Sequence, residues 1–124
     1  GDEKAALKEL DEGAARVQEV LGIDSPHLAR FRREKGLLLL TKKERAKEAL
    51  GLLDDAWMTL NDAWGMHHPD MGPLLLARAE AADATGDREQ AKRLVGAAVR
   101  ELEQTLGADH PETKRAKARA ATFQ

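Results

Sequence analysis

The chain has no cysteine and no tyrosine, and its only aromatic side chains are Phe31, Trp57, Trp64 and Phe123. Without cysteine there are no disulfides, no thiolate metal sites and no thiol nucleophile. Few aromatics and much alanine suit close helix–helix contact better than a thick sandwich core. Long apolar runs are missing too: Leu37 to Leu40 is four residues bounded by charge, far short of the roughly 20 needed to cross a bilayer. Neither charge sign dominates. Charged residues make up 34% of the 124, yet the net charge is −2, which gives no general attraction to nucleic acid or to an acidic membrane. The opening residues, Gly1-Asp2-Glu3-Lys4, do not have the pattern of a signal peptide, and a cytoplasmic location is the expectation.

What the chain does have is a phrase used three times. It reads Leu21-Gly22-Ile23-Asp24-Ser25-Pro26, Trp64-Gly65-Met66-His67-His68-Pro69 and Leu106-Gly107-Ala108-Asp109-His110-Pro111, with prolines 43 and 42 residues apart. A fixed period of that size marks a repeat array, whose units bury their apolar faces against their neighbours. Each phrase also punctuates helices. The glycine suits a left-handed helix end, and proline opens the next helix, where its missing N–H costs nothing. Ser25, or Asp24 and Asp109, are the expected caps, and Asp70 and Glu112 bring negative charge to first turns.

Between the phrases the apolar spacing is helical. Ala6, Leu10, Ala14, Val17 and Leu21 recur at steps of four, four, three and four, as do Ala49, Leu53, Trp57, Leu60 and Trp64. Ala91, Val95, Val99, Leu102 and Leu106 repeat the same steps. Secondary breaks at Thr41-Lys42-Lys43 and Thr85-Gly86-Asp87 split each full repeat in two. The pattern predicts six helices, near 2–21, 26–41, 43–64, 69–85, 87–106 and 111–123. It implies one all-α domain over 1–124. A partial repeat or cap occupies 1–21, full repeats occupy 26–64 and 69–106, and a terminal helix occupies 111–124. The array starts on a second-type helix and ends on a first-type one.

The intact phrase Leu106 to Pro111 resembles the junction of kinesin light chain-type tetratricopeptide repeats, whose period of about 42 residues exceeds the usual ~34. Ala79, Gly86 and Ala91 stand where that family keeps small residues, and Gly36 matches the Ala79 position. Ser25 replaces the histidine of the phrase, and Trp64 and His67 replace its leucine and aspartate. Armadillo- and HEAT-like repeats have similar periods but lack this junction. The resemblance implies a right-handed superhelical array of antiparallel hairpins whose first helices line a concave, peptide-binding face. Carried over by position, that face takes Arg30, Arg33 and Leu37, then Leu76, Glu80 and Asp83, then Arg115 and Ala118. The groove would run basic, acidic, basic and suit a peptide or protein segment of mixed charge. The alternative for these charges is a solvated face whose members pair with one another.

Other candidates are weaker. His67, His68, Asp70, Asp109 and His110 suggest a metal, but adjacent side chains diverge and no second cluster completes a site; no cofactor is expected. Trp57 and Trp64, seven apart on one stripe, share register with Val99 and Leu106 and are expected in the core. Lys114, Arg115, Lys117 and Arg119 with only Phe123 nearby fall short of a nucleic-acid patch. No nucleophile–base pair is apparent, so no enzymatic activity is expected. The sequence thus points to a protein-interaction module within a larger protein or complex. The alternative is self-association through exposed terminal helices as a homo-oligomer.

Overall fold

The computed structural model describes residues 2–65 and 67–123; Gly1, Gln124 and the Met66 of the second junction phrase lie outside the described residues. Six α-helices follow one another with short connections: α1 (Asp2–Leu21), α2 (His27–Leu39), α3 (Ala46–Trp64), α4 (Met71–Ala84), α5 (Arg88–Leu106) and α6 (Pro111–Ala121). Among the described residues there is no strand. Each helix packs on the next, and α2 also touches α4. The hairpins α2–α3 and α4–α5 therefore stack, with α1 against the first and α6 against the second. The extra residue of the first full repeat is taken up by a 3₁₀ turn, Lys43–Arg45, between α2 and α3.

The junction glycines end their helices as the sequence demands, but in a different conformation from the expected left-handed cap. Gly22, Gly65 and Gly107 have φ of 93°, 83° and 90°, and each N–H closes the last helical turn, Gly107 to the Glu103 carbonyl at 3.1 Å for instance. At Gly65 and Gly107, however, ψ is 171° and 159°. That combination is open essentially to glycine alone, and it throws the chain outward rather than curling it back over the helix end.

The caps meet expectation at Ser25 and differ from it at the aspartates. Asp24 and Asp109 do not cap; the residue directly before each proline accepts an amide two residues on, and in α6 that residue, His110, is the N-cap itself. Ser25 Oγ accepts the His27 N–H at 3.2 Å, His68 Nδ1 accepts the Asp70 N–H at 3.1 Å, and His110 Nδ1 accepts the Glu112 N–H at 3.1 Å. A residue preceding proline is held extended, as His110 is at φ −65°, ψ 140°, and this swings its side chain over the first free amides. With Nδ1 accepting, the ring proton of both histidines sits on Nε2.

Burial centres on α4, which is apolar nearly all round, as a helix covered on both sides must be. One of its faces, through Met71, Leu74, Ala77 and Ala81, packs with Ala29, Leu53, Ala56 and Leu60. The other, through Leu75, Leu76, Ala79 and Ala82, packs with Ala91, Val95, Ala98 and Leu102 and reaches Ala116 and Phe123. Leu50 and Trp57 touch both clusters. In α1 the register equivalents Ala6, Leu10 and Val17 are only half-buried, because that helix has α2 as its single strong neighbour.

Trp64 corrects an expectation. It shares its register position with Leu106 as expected, but the position lies at the rim: Trp64 is 42% exposed and Leu106 37%. The indole stacks on His68, with centroids 4.4 Å apart, and meets His27 edge-on. Trp57 is half-buried beneath the Arg78 guanidinium.

Thr113 occupies the register position of Met71 and is wholly buried, yet its hydroxyl has no hydrogen-bond partner. An unpaired buried hydroxyl costs about 1–3 kcal/mol. Thr113→Val is therefore expected to stabilise the chain by about 1 kcal/mol, read as a rightward shift in a urea melt; a neutral or leftward shift would mean that the hydroxyl is satisfied in solution.

Candidate concave interaction site

The helices α2, α4 and α6 form one layer, and the period of the chain places their residues in rows across it. Arg30, Pro73 and Arg115 make one row, and Arg33, Leu76 and Ala118 the next. Glu34, Ala77 and Arg119 follow, then Leu37, Glu80 and Thr122. Apart from Arg30, these residues together with Glu112 line a concavity of about 750 Å³. A second hollow, of about 850 Å³ between α1 and α2, shares Glu34 and Leu37 with the first and adds Phe31, Leu38 and Thr41. The two hollows adjoin at Glu34 and Leu37, and together they are termed the trough. Leu37, 41% exposed, stands where they meet.

Of the residues expected on this face, Arg33, Leu37, Leu76, Glu80, Arg115 and Ala118 are brought together here. Leu76 is almost fully buried and forms the floor. Arg30 lies outside, in a smaller hollow of about 370 Å³ with Val17, Leu21 and Trp64, and its guanidinium stands 3.6 Å from Asp70. Asp83 sits one turn beyond the trough, turned towards Arg119 and Arg88.

The electrostatics depart from the basic, acidic, basic order. Arg119 donates through Nε to Glu80 at 2.6 Å and through Nη2 to Asp83 at 2.7 Å, with its plane over the Phe123 ring at 4.7 Å. The hydrogen bond to Glu80, opposed by partial burial and helped by Asp83, raises the guanidinium pKa above its ordinary value, so the charge is fixed. With Arg88 3.7 Å from Asp83 as the second cation, the acidic middle of the groove is neutralised. Arg115 leans on Glu112 at 3.0 Å within its own helix. Arg33 has only a long contact to Glu34, at 3.5 Å, which leaves it the least committed cation of the trough.

By sequence Arg119 belongs to a basic tail, and Glu34, Pro73, Ala77 and Thr122 are not among the residues expected on this face. The signal was present: adding the repeat period to Glu34 and Leu37 lands on Ala77 and Glu80, then on Arg119 and Thr122. The histidines are likewise accounted for locally. His110 caps α6, His68 accepts the Asp70 N–H in the turn that leads into α4, and His67 Nδ1 lies 3.1 Å from the nearly buried Glu101 carboxylate. Among the described residues no group of three or more His, Asp or Glu is placed to hold a metal, and no helix is long and apolar enough to cross a membrane.

An all-helical stack of hairpins with a trough lined by first helices is a tetratricopeptide-like array. Its likeness to a solved structure is direct. The chain matches the crystal structure of the nearly identical tetratricopeptide-like repeats of a protein described as a kinesin light chain from Podosopora anserina, with a TM-score of 0.85 over 99% of its own length. Sequence identity is 20%, so the likeness is one of fold, and the chain spans 58% of that protein's length. No family model matches the sequence, and no curated protein matches it either.

Proposed function

We propose that the trough across α2, α4 and α6 holds a peptide or exposed segment of a partner protein, and that the chain serves as a scaffold or regulatory part of a larger assembly. The observation that carries this reading is Leu37: an exposed leucine that lines two adjoining hollows, with an apolar floor beside it and a loosely held Arg33 at its edge. Neighbouring helices lie about 8–10 Å apart, so the trough suits an extended segment of about six to nine residues at about 3.3 Å each. Arginine favours a carboxylate in that segment through a forked pair of hydrogen bonds.

Self-association by adding a helix to α6 is less favoured by the side chains there. Gly72 and Leu75, which bring α4 close to α5, have Lys114 and Lys117 as their register counterparts on α6, and Lys117 reaches back to Glu103 at 3.3 Å. A helix docked on α6 as α5 docks on α4 would have to displace two lysines.

The test is affinity capture from source-cell extract with the native chain, Leu37→Asp and Arg33→Glu. Both positions sit at the surface of the trough, so circular dichroism should be unchanged. A partner held by the native chain and weakened about tenfold or more by each variant is the expected result. Equal capture by all three moves the interaction off the trough.

A further inference from the structure

Val20, Leu21, Ile23, Met58 and Trp64 are the large apolar side chains most open to solvent among the described residues. Leu21 and Trp64 belong to the hollow beside Arg30. Ile23 and Met58, 59% and 58% exposed, belong to a separate notch of about 520 Å³ on the other layer, between that turn and α3. Two exposed apolar side chains that line one hollow offer a seat for an apolar residue of a partner, and methionine adapts to varied partners.

The charge around the notch selects the partner. Asp24, Asp55 and Asp62 line it together with Arg32. Arg32 is turned to its own wall, donating to Thr59 Oγ1 at 3.2 Å and to the Ile23 carbonyl at 3.5 Å. Asp54 and Asp70 hold Arg78 and Arg30, whereas Asp24, Asp55 and Asp62 hold no cation among the described residues. The three do not converge as metal ligands would. Instead Asp55 and Asp62 flank Met58 three residues before it and four after, on one stripe of α3.

We propose that this notch docks a basic amphipathic helix of a partner protein, an apolar side chain seated between Ile23 and Met58 and lysines or arginines a turn to either side facing Asp55 and Asp62. A helix in a groove is the mode that a helical wall offers, since no sheet edge is present among the described residues. The same carboxylates repel nucleic acid and anionic lipid surfaces. The notch lies on the layer of α3, apart from the trough, so the two sites can be occupied independently.

The probe is a fluorescein-labelled helical peptide of leucine and lysine at three- and four-residue spacing, compared with its leucine–glutamate counterpart by anisotropy and by amide chemical-shift mapping. The expected result is binding of the lysine peptide alone, weakened by salt, with shifts at Ile23, Met58 and Thr59. Met58→Asp is decisive: it adds negative charge, so binding by charge alone would strengthen, whereas docking on the apolar seat falls at least tenfold. Asp55→Asn with Asp62→Asn should also fall at least tenfold, and Leu37→Asp should leave the affinity unchanged. No binding of the lysine peptide, unchanged affinity in Met58→Asp, or shifts confined to the trough would overturn the proposal. Loss of binding with Leu37→Asp would do the same by placing the peptide in the trough.

Discussion

Replacing Phe123 with alanine is expected to destabilise the chain by about 3 kcal/mol, the lower end of the range for a buried phenylalanine, and to release α6 first. The helix is 11 residues long, too short to persist alone in water. Its inward side offers only Thr113, Ala116 and Ala120, so little apolar area holds it. Phe123, 6% exposed, joins the cluster of α4 and α5 just past the helix end. Two guanidiniums cover its ring, those of Arg88 and Arg119, each 4.7 Å from the centroid. Arg88 also donates to the Thr122 carbonyl at 2.8 Å.

The ring is therefore the pin of a cluster that includes Glu80 and Asp83, and losing it loosens the contacts that neutralise the groove. Stability in a repeat array is local, so amide hydrogen exchange is the right measurement alongside denaturant melts. Amides of α6 should lose protection in Phe123→Ala while those of α3 and α4 keep theirs. Undiminished protection in α6 would show that Arg119 and its carboxylates suffice to hold it. Because α6 supplies Arg115, Ala118 and Arg119 to the trough, the same variant should also weaken a partner bound there.

Much of this arrangement could be read from the sequence because a repeat states each position more than once. The helix spans follow from the apolar steps and from glycines that leave a helix at positive φ; the concave face is what the resemblance to kinesin light chain-type repeats implies, and the period only carries it from one repeat to the next. What could not be read was what happens at the ends of things. Trp64 and Leu106 continue an inward stripe by spacing, but the crossing with the next helix has passed before the stripe reaches them, so they lie at the rim. Asp24 and Asp109 are good cap residues by type, yet the extended residue before proline is nearer to the free amides. Arg119 reads as one cation of a basic tail. Its partners Glu80 and Asp83 lie 39 and 36 residues away, and only the stacking of α6 on α4 and α5 brings them to it. Local rules fixed the helices and their phase; pairings over such distances depend on how far each crossing extends.

Gly72→Val is expected to cost about 3 kcal/mol, whereas Gly51→Ala should stabilise by about 1 kcal/mol, although both glycines lie inside helices. Propensity alone makes a mid-helix glycine a defect of about 1 kcal/mol relative to alanine, and Gly51, with nothing within 4 Å of an added Cβ, is no more than that. At Gly72 an added Cβ would lie 2.7 Å from Cγ and Cδ2 of Leu102. Leu102 is fully buried and has nowhere to go. Overpacking of that kind costs about 1–3 kcal/mol, and the branched valine adds a second methyl to the clash. The earlier hairpin carries Ala29 at this register position, so the array admits one methyl where the helices are spaced for it. Helix α4 has less freedom, being packed by α3 on one side and α5 on the other. On α6, where the register position is Lys114, a long side chain is accommodated because it is exposed. Urea melts of the two variants check the pair. Opposite shifts establish that α4 and α5 are held at glycine distance, and a mild effect of Gly72→Val would mean that the hairpin opens enough to take the side chain.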